Sequence, residues 1–269
     1  MTELCFNSMN RSAYILGDED PDLPGQIEAA AKAGFRLFGP DEFSIARFCR
    51  EGNSVEALAE RMDAVGIRTF ELPTLMVNSD RQETRDGIRR LCEIARILKP
   101  DFVQLNMDSE VDGRVIDDLQ RAGDAFGALG VRLAIEYLPW LPEVKDIRST
   151  RAVLDRAKIE GAGVLVDTWH FTHSGDTWED LEALPLDEIA YLQFDDHPAL
   201  ESEDLVQETL MRRAMPGEGV FELARFGDVL RAKGYTGVVS CEILSAETRG
   251  MDLEAFAKRV YDTSKVYWP

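Results

Sequence analysis

The feature that most limits what this chain can fold into is an alternation. Along its 269 residues, eight short apolar runs rich in β-formers are each followed by a stretch with helical periodicity. The strand-like runs are 4–9, 35–38, 67–72, 102–106, 131–137, 164–168, 189–194 and 238–243. The helical stretches are 24–33, 55–65, 83–98, 115–129, 150–158, a short one near 178–183, 221–233 and 253–266. Gly34, Gly66 and Gly130 end three of these helices and Pro100 stops a fourth. A long polar connection separates the seventh strand from the helix that begins at 221.

Strands joined through helices run parallel, with right-handed crossovers. Eight such units predict a (β/α)8 TIM barrel, an α/β fold that typically takes about 250 residues. An open doubly wound sheet would want a glycine-rich phosphate loop after its first strand. Asn7-Ser8-Met9-Asn10-Arg11 stands there instead. No Pro/Gly/Ser linker interrupts the pattern, so residues 1–269 are expected to form one domain.

Charge and cysteine usage narrow the partners. The formal net charge is −20, and no single acidic block accounts for it. Such a surface repels phosphate backbones and anionic lipid, which excludes nucleic acid and membrane as expected partners. Cys5, Cys49, Cys92 and Cys241 are widely spaced with no CxxC, as for reduced buried thiols. The opening residues carry no basic cluster, so no signal peptide is expected, and no apolar run comes near the about 20 residues that span a bilayer. The expected location is therefore the cytoplasm. Whether copies form a homo-oligomer is open at this stage.

In a TIM barrel the chemistry sits at the C-terminal ends of the strands. The fifth run ends in Glu136 and the sixth in Asp167; the seventh carries Gln193 and the eighth Glu242. Oxygen-bearing side chains at the ends of apolar strands need a partner. Three carboxylates and a carboxamide with no cation nearby in sequence point to a divalent ion, Mn²⁺ or Mg²⁺ before Zn²⁺ or Co²⁺. Asp195 and Asp196 compete with Gln193 for the seventh-strand position. His170, three residues after Asp167, can lean into the same pocket as a hydrogen-bond donor or proton shuttle. His173 and His197 read as solvated loop histidines. Arg213, on the long connection, reads equally as a surface residue or a substrate anchor; Trp140 and Trp169 read equally as packing or as walls for a sugar ring. Glu71, Asn106 and Asn7, near other strand ends, are secondary candidates for substrate hydroxyls.

Five segments, IEYLPW, VDTWHFTHSGDTWEDLEALP, IAYLQFDD, RRAMPGEGVFEL and GYTGVVSCEIL, together resemble the xylose isomerase-like TIM-barrel superfamily of sugar isomerases, epimerases and related lyases. The resemblance covers about residue 131 to the C-terminus. It implies Glu136, Asp167, Gln193 and Glu242 as metal ligands, His170 beside the substrate and Arg213 in contact with it. It also implies proton exchange by Glu136 and Glu242. Many ketose epimerases have histidine where this chain has Gln193, and a second glutamate where it has Pro142. Gln193 is more similar to hydroxypyruvate isomerases and bacterial 3-dehydroshikimate dehydratases. The expectation is a metal-dependent isomerase or epimerase of a small polyhydroxylated carbonyl compound, working through an enediolate. The alternative is a dehydratase of a keto-cyclitol or 3-dehydroshikimate-like substrate. An abasic-site nuclease of the same fold would need a histidine-rich multi-zinc centre and a basic surface, which three histidines and the acidic charge argue against.

Overall fold

The computed structural model describes residues 2–17 and 19–269. Its strands are β1 (Leu4–Asn7), β2 (Leu37–Gly39), β3 (Arg68–Thr69), β4 (Glu71–Asn78), β5 (Phe102–Asp108), β6 (Arg132–Glu136), β7 (Gly163–Asp167), β8 (Ile189–Phe194) and β9 (Val239–Cys241). They form one sheet in the order β3-β2-β1-β9-β8-β7-β6-β5-β4, with every neighbouring pair parallel. The expected eight strands are thus nine, because the run 67–72 is divided at Phe70. The Phe70 N–H donates to Phe38 O at 2.9 Å, and Phe70 O accepts from Phe102 N at 3.0 Å. One residue therefore bonds toward β2 on one side and β5 on the other, and it joins the two ends of a nearly closed barrel.

Each expected helix is present within a few residues of its predicted bounds, and shorter ones occur that the periodicity did not show. Ala13–Leu16, Glu42–Arg50, Thr168–His173 and Leu205–Met211 are helical. Three begin at an Asp whose side chain accepts a backbone N–H of the first turn: Asp41 from Ser44, Asp167 from His170 and Asp204 from Gln207. The connection after β8 is therefore not a plain loop. It holds Leu205–Met211 and returns to the barrel through antiparallel bridges Asp196↔Ala214 and Arg212↔Ser245.

The barrel interior is layered by the two-residue period of its strands. A floor of Cys5, Leu37, Phe70, Phe102, Ala134, Leu165 and Tyr191 packs as its own apolar cluster. Two residues further along, five of these strands carry Asn7, Gln104, Glu136, Asp167 and Gln193, all buried. The intervening residues, among them Phe6, Val103, Ile135, Val166 and Leu192, face outward into the larger core beneath the helices.

Two glycines keep this geometry open. A Cβ on Gly39 would lie 2.5 Å from Glu71 Cγ, so the missing side chain on β2 is what admits Glu71 into the interior. A Cβ on Gly163 would lie 2.7 Å from Glu188 O and 2.9 Å from Ala190 N, where only backbone can give way. Gly163→Ala is therefore expected to destabilise the fold by about 1–3 kcal/mol, as overpacking does. Chemical denaturation of the variant beside the parent chain measures this, and an unchanged midpoint would contradict the register at the start of β7.

Candidate active site

At the C-terminal mouth of the barrel lies a cavity of about 440 Å³ whose lining includes Gln104, Asn106, Glu136, His170, Arg213 and Glu242. Glu136 ends β6, and its Oε2 accepts from Gln104 Nε2 and from Asn106 Nδ2, each at 2.7 Å. Thr74 Oγ1 donates to Asn106 Oδ1 at 2.8 Å and fixes that amide. Glu136 Oε1 is left buried with no hydrogen-bond partner, 3.4 Å from His170 Nε2. Gln193 donates through Nε2 to Gln104 Oε1 at 3.3 Å and to Glu242 Oε1 at 3.4 Å, while its own Oε1 is buried and unpartnered. Asn7 Nδ2 donates to Glu242 Oε1 at 3.1 Å.

Arg213 stands among the carboxylates. Its Nη1 lies 2.8 Å from Asp167 Oδ2, 2.7 Å from Asp195 Oδ2 and 3.2 Å from Glu242 Oε2. Nε and Nη2 donate to Thr209 Oγ1 at 3.1 and 2.9 Å. Burial opposes the charge on Arg213, but Asp167, Asp195 and Glu242 outweigh it and raise its pKa. For Asp167 burial pulls upward, and Arg213, His170 and the His170 N–H together hold it below the usual carboxylate range. Burial lifts Asp195 and Glu242 well above that range, with Arg213 opposing.

These donors fit a cation. Two buried oxygens, Glu136 Oε1 and Gln193 Oε1, have no other partner, and orphaned acceptors of this kind are costly without one. Glu136, Asp167 and His170 each offer an atom within 4.8 Å of the others, the one such grouping among the described His, Cys, Asp and Glu residues. That grouping puts His170 closer to the carboxylates than the sequence alone indicated.

Several other residues are reassigned by the fold. Asp196 accepts backbone N–H bonds from His197, Gly217, Gly219 and Phe221, so it shapes the PGEG segment. Asp195 is tied to Thr168 Oγ1 at 2.6 Å and to Arg213, so neither aspartate is free to replace Gln193. Trp140 lines the cavity, whereas Trp169 is buried and packs on His173 with ring centroids 4.2 Å apart. His173 and His197 are not solvated loop residues. His197 is buried, His173 is half-buried and their rings lie 4.6 Å apart, because the helix Thr168–His173 turns back over the segment after β8. Burial, then His197 and His170, push His173 down to about 4. Gln104 was not singled out from sequence, although two carboxamides at alternate positions of an apolar strand, 104 and 106, carry that signal.

A model of the xylose isomerase-like TIM barrel family matches residues 27–260. The chain belongs to that family. It is 26% identical to a 3-dehydroshikimate dehydratase of Pseudomonas putida over 239 residues, 83% of this chain and 36% of that protein. It is also 26% identical to an inosose isomerase of Halalkalibacterium halodurans over 160 residues, 59% of this chain and 55% of that one. The chain thus spans little more than a third of the dehydratase. Among solved structures it resembles the IolI protein with a bound zinc atom, at TM-score 0.85 and 20% identity over 99% of this chain and 98% of that one. No helix among the described residues is long and apolar enough to cross a membrane.

Glu71 was expected near a strand's C-terminal end, but it opens β4 and points into the barrel interior. Its Oε1 accepts from Ser240 Oγ and, at 3.6 Å, from Cys5 Sγ. Burial pushes its pKa up to about 7, against the hydrogen bonds from Ser240 and Cys5 that favour the charged form. A carboxyl with a folded pKa above its unfolded value stabilises most below the unfolded value and loses that contribution as pH rises through the folded one. Between pH 4.5 and 8 the parent chain should therefore lose up to about 3 kcal/mol relative to Glu71→Gln. Urea denaturation of both proteins across that range checks it, and parallel stability curves would mean that Glu71 ionises freely.

Proposed function

We propose that this chain is a divalent-metal-dependent enzyme that moves a proton at the carbon next to a carbonyl of a small polyhydroxylated ketone or aldehyde, as a sugar isomerase or epimerase. The observation that carries this reading is the pair of unpartnered buried oxygens, Glu136 Oε1 and Gln193 Oε1, beside Asp167 and Glu242, with Glu136 and Glu242 lining the cavity. Glu136, Asp167, Gln193 and Glu242 would hold the ion, with His170 and Arg213 beside it. The oxygen donors favour Mn²⁺ or Mg²⁺. When bound, such an ion supplies Lewis acidity to the substrate's carbonyl oxygen and adjoining hydroxyl.

The chain's own residues account for the rest. Glu242, which lines the cavity and is held through Oε1 by Asn7 and Gln193, takes the α-proton in this reading. Glu136, clamped through Oε2 by Gln104 and Asn106, keeps Oε1 directed at the cavity for transfer at the opposite side. Return of the proton to the neighbouring carbon isomerises, and return to the other face epimerises. His170 Nε2, beside Glu136 Oε1, is placed to hydrogen-bond a substrate oxygen, and Arg213 fixes Asp167 and Glu242 from behind. A second reading, loss of a β-hydroxyl after the same proton abstraction, draws support from the likeness to 3-dehydroshikimate dehydratases.

Incubation with Mn²⁺ in D₂O and a panel of ketoses, an inosose and 3-dehydroshikimate, followed by NMR, tests both. Deuterium at an α-carbon of an otherwise intact molecule is the expected outcome; loss of water selects the lyase, and no exchange on any compound rejects proton transfer. Asp167→Asn is expected to weaken Mn²⁺ binding at least about tenfold, measured by titration calorimetry with the fold checked by circular dichroism. His170→Ala should lower kcat more than it lowers metal affinity. Loss of the ion in that variant would make His170 a ligand.

A further inference from the structure

The cavity's outer half differs in character from its floor. Phe43, Met76, Leu138, Trp140, Val206 and Leu210 line it. They come from the helix Glu42–Arg50, from β4, from the segment after β6 and from the helix Leu205–Met211. Tyr14 extends this wall by packing on Phe43 with ring centroids 5.0 Å apart, and Val206 is 40% exposed. A hydrated polyol gains little from such a surface, whereas an alkyl or aryl group gains from leaving water for it.

Charge restricts the occupant further. Among the described residues that line the cavity, Arg213 is the one arginine or lysine. Its Nη1 is already within 3.2 Å of Asp167, Asp195 and Glu242, and Nε and Nη2 are on Thr209. No free guanidinium fork or ammonium group is left for a substrate carboxylate or phosphate. Asp108 on the rim adds negative charge, within a chain of net −20. An anion entering here would lose its hydration with no cationic side chain free to pair with it.

Building on the proton-transfer reading above, we propose that the substrate is an uncharged keto-polyol bearing an apolar substituent on the side away from the reacting carbonyl. The polyol end meets Glu136, Glu242 and His170, and the substituent lies on the Phe43, Leu138, Trp140 and Val206 wall. Anionic ketones of the same ring size are disfavoured.

Three ketones of the same ring size test this by calorimetric titration into the Mn²⁺-loaded protein: 2-keto-myo-inositol, its 5-O-benzyl ether and 3-dehydroshikimate. The benzyl ether should bind about tenfold tighter than the parent inosose, or better, as expected for burying an aryl group, with 3-dehydroshikimate the weakest. Val206→Asp, at a half-open position that the fold does not need, should bring the two inososes within about twofold of each other. Equal affinity of the two inososes for the parent protein, tighter binding of 3-dehydroshikimate, or no binding of any compound overturns the proposal. So does a Val206→Asp variant that changes the sedimentation coefficient and leaves the affinity ratio intact, which would give the wall to a second copy of the chain. The same samples in D₂O separate the two readings. A benzyl ether that binds with the expected preference yet exchanges no α-proton defeats proton transfer and leaves the substrate class standing; exchange without the preference does the reverse.

Discussion

The guanidinium of Arg213 is the interaction on which the mouth of the barrel depends. Three carboxylates, Asp167, Asp195 and Glu242, approach one nitrogen, all of them buried. Without a cation among them their mutual repulsion in a poorly solvated interior would open the strand ends or leave protons on the groups. Removing one partner of a buried pair typically costs about 3–5 kcal/mol, because a charge is stranded. The chain therefore spends much structure on holding this one side chain. Thr209 accepts from it at the end of a short helix, Thr168 orients Asp195 from the other side, and the bridges Asp196↔Ala214 and Arg212↔Ser245 fix the backbone on either side of residue 213. Asp196 gathers four backbone N–H groups and folds the glycine-rich segment that lets the connection return.

The arrangement of the floor follows from elementary strand geometry. A side chain two residues along a strand points the same way, so an apolar residue that plugs the barrel fixes which later residue faces the mouth. Phe102 below implies Gln104 and Asn106 above; Ala134 implies Glu136; Leu165 implies Asp167; Tyr191 implies Gln193. This is why strand-end reasoning from the sequence located Glu136, Asp167 and Gln193 at one end of one barrel, while Glu242 follows directly on β9. Short apolar runs and glycine stops gave the strands and the long helices for the same reason, since both are local patterns.

What local pattern could not show is which groups meet across the chain. The division of a strand at Phe70 depends on its bonds to Phe38 and Phe102, residues 32 positions away on either side. Asp195 looks like a possible ligand in sequence and becomes a counter-ion only because Arg213 returns to it from the far end of a connection. His173 and His197 look like loop residues until the helix after β7 brings their rings together, and Glu71 sits inside the barrel only because β2 offers a glycine opposite it. The short helices escaped notice because their signal is an aspartate cap and fewer than three turns, too few residues for a period to register.

Gln193 illustrates how the floor is wired as one unit. Its amide nitrogen donates to Gln104, which itself holds Glu136, and to Glu242, which Asn7 holds from β1. The hydrogen bonds thereby run from β5 through β8 to the segment after β9 and on to β1. A histidine could present one nitrogen to an ion and donate through the other, but it could not donate twice and still offer an acceptor. A carboxylate could accept and not donate at all. Only a carboxamide links two neighbours and leaves an oxygen unpartnered, and only with Gln104 beside it does that geometry have a partner on each side. The identity of residue 193 is therefore set jointly with that of residue 104, and the carboxylates on either side of the pair inherit their orientation from it.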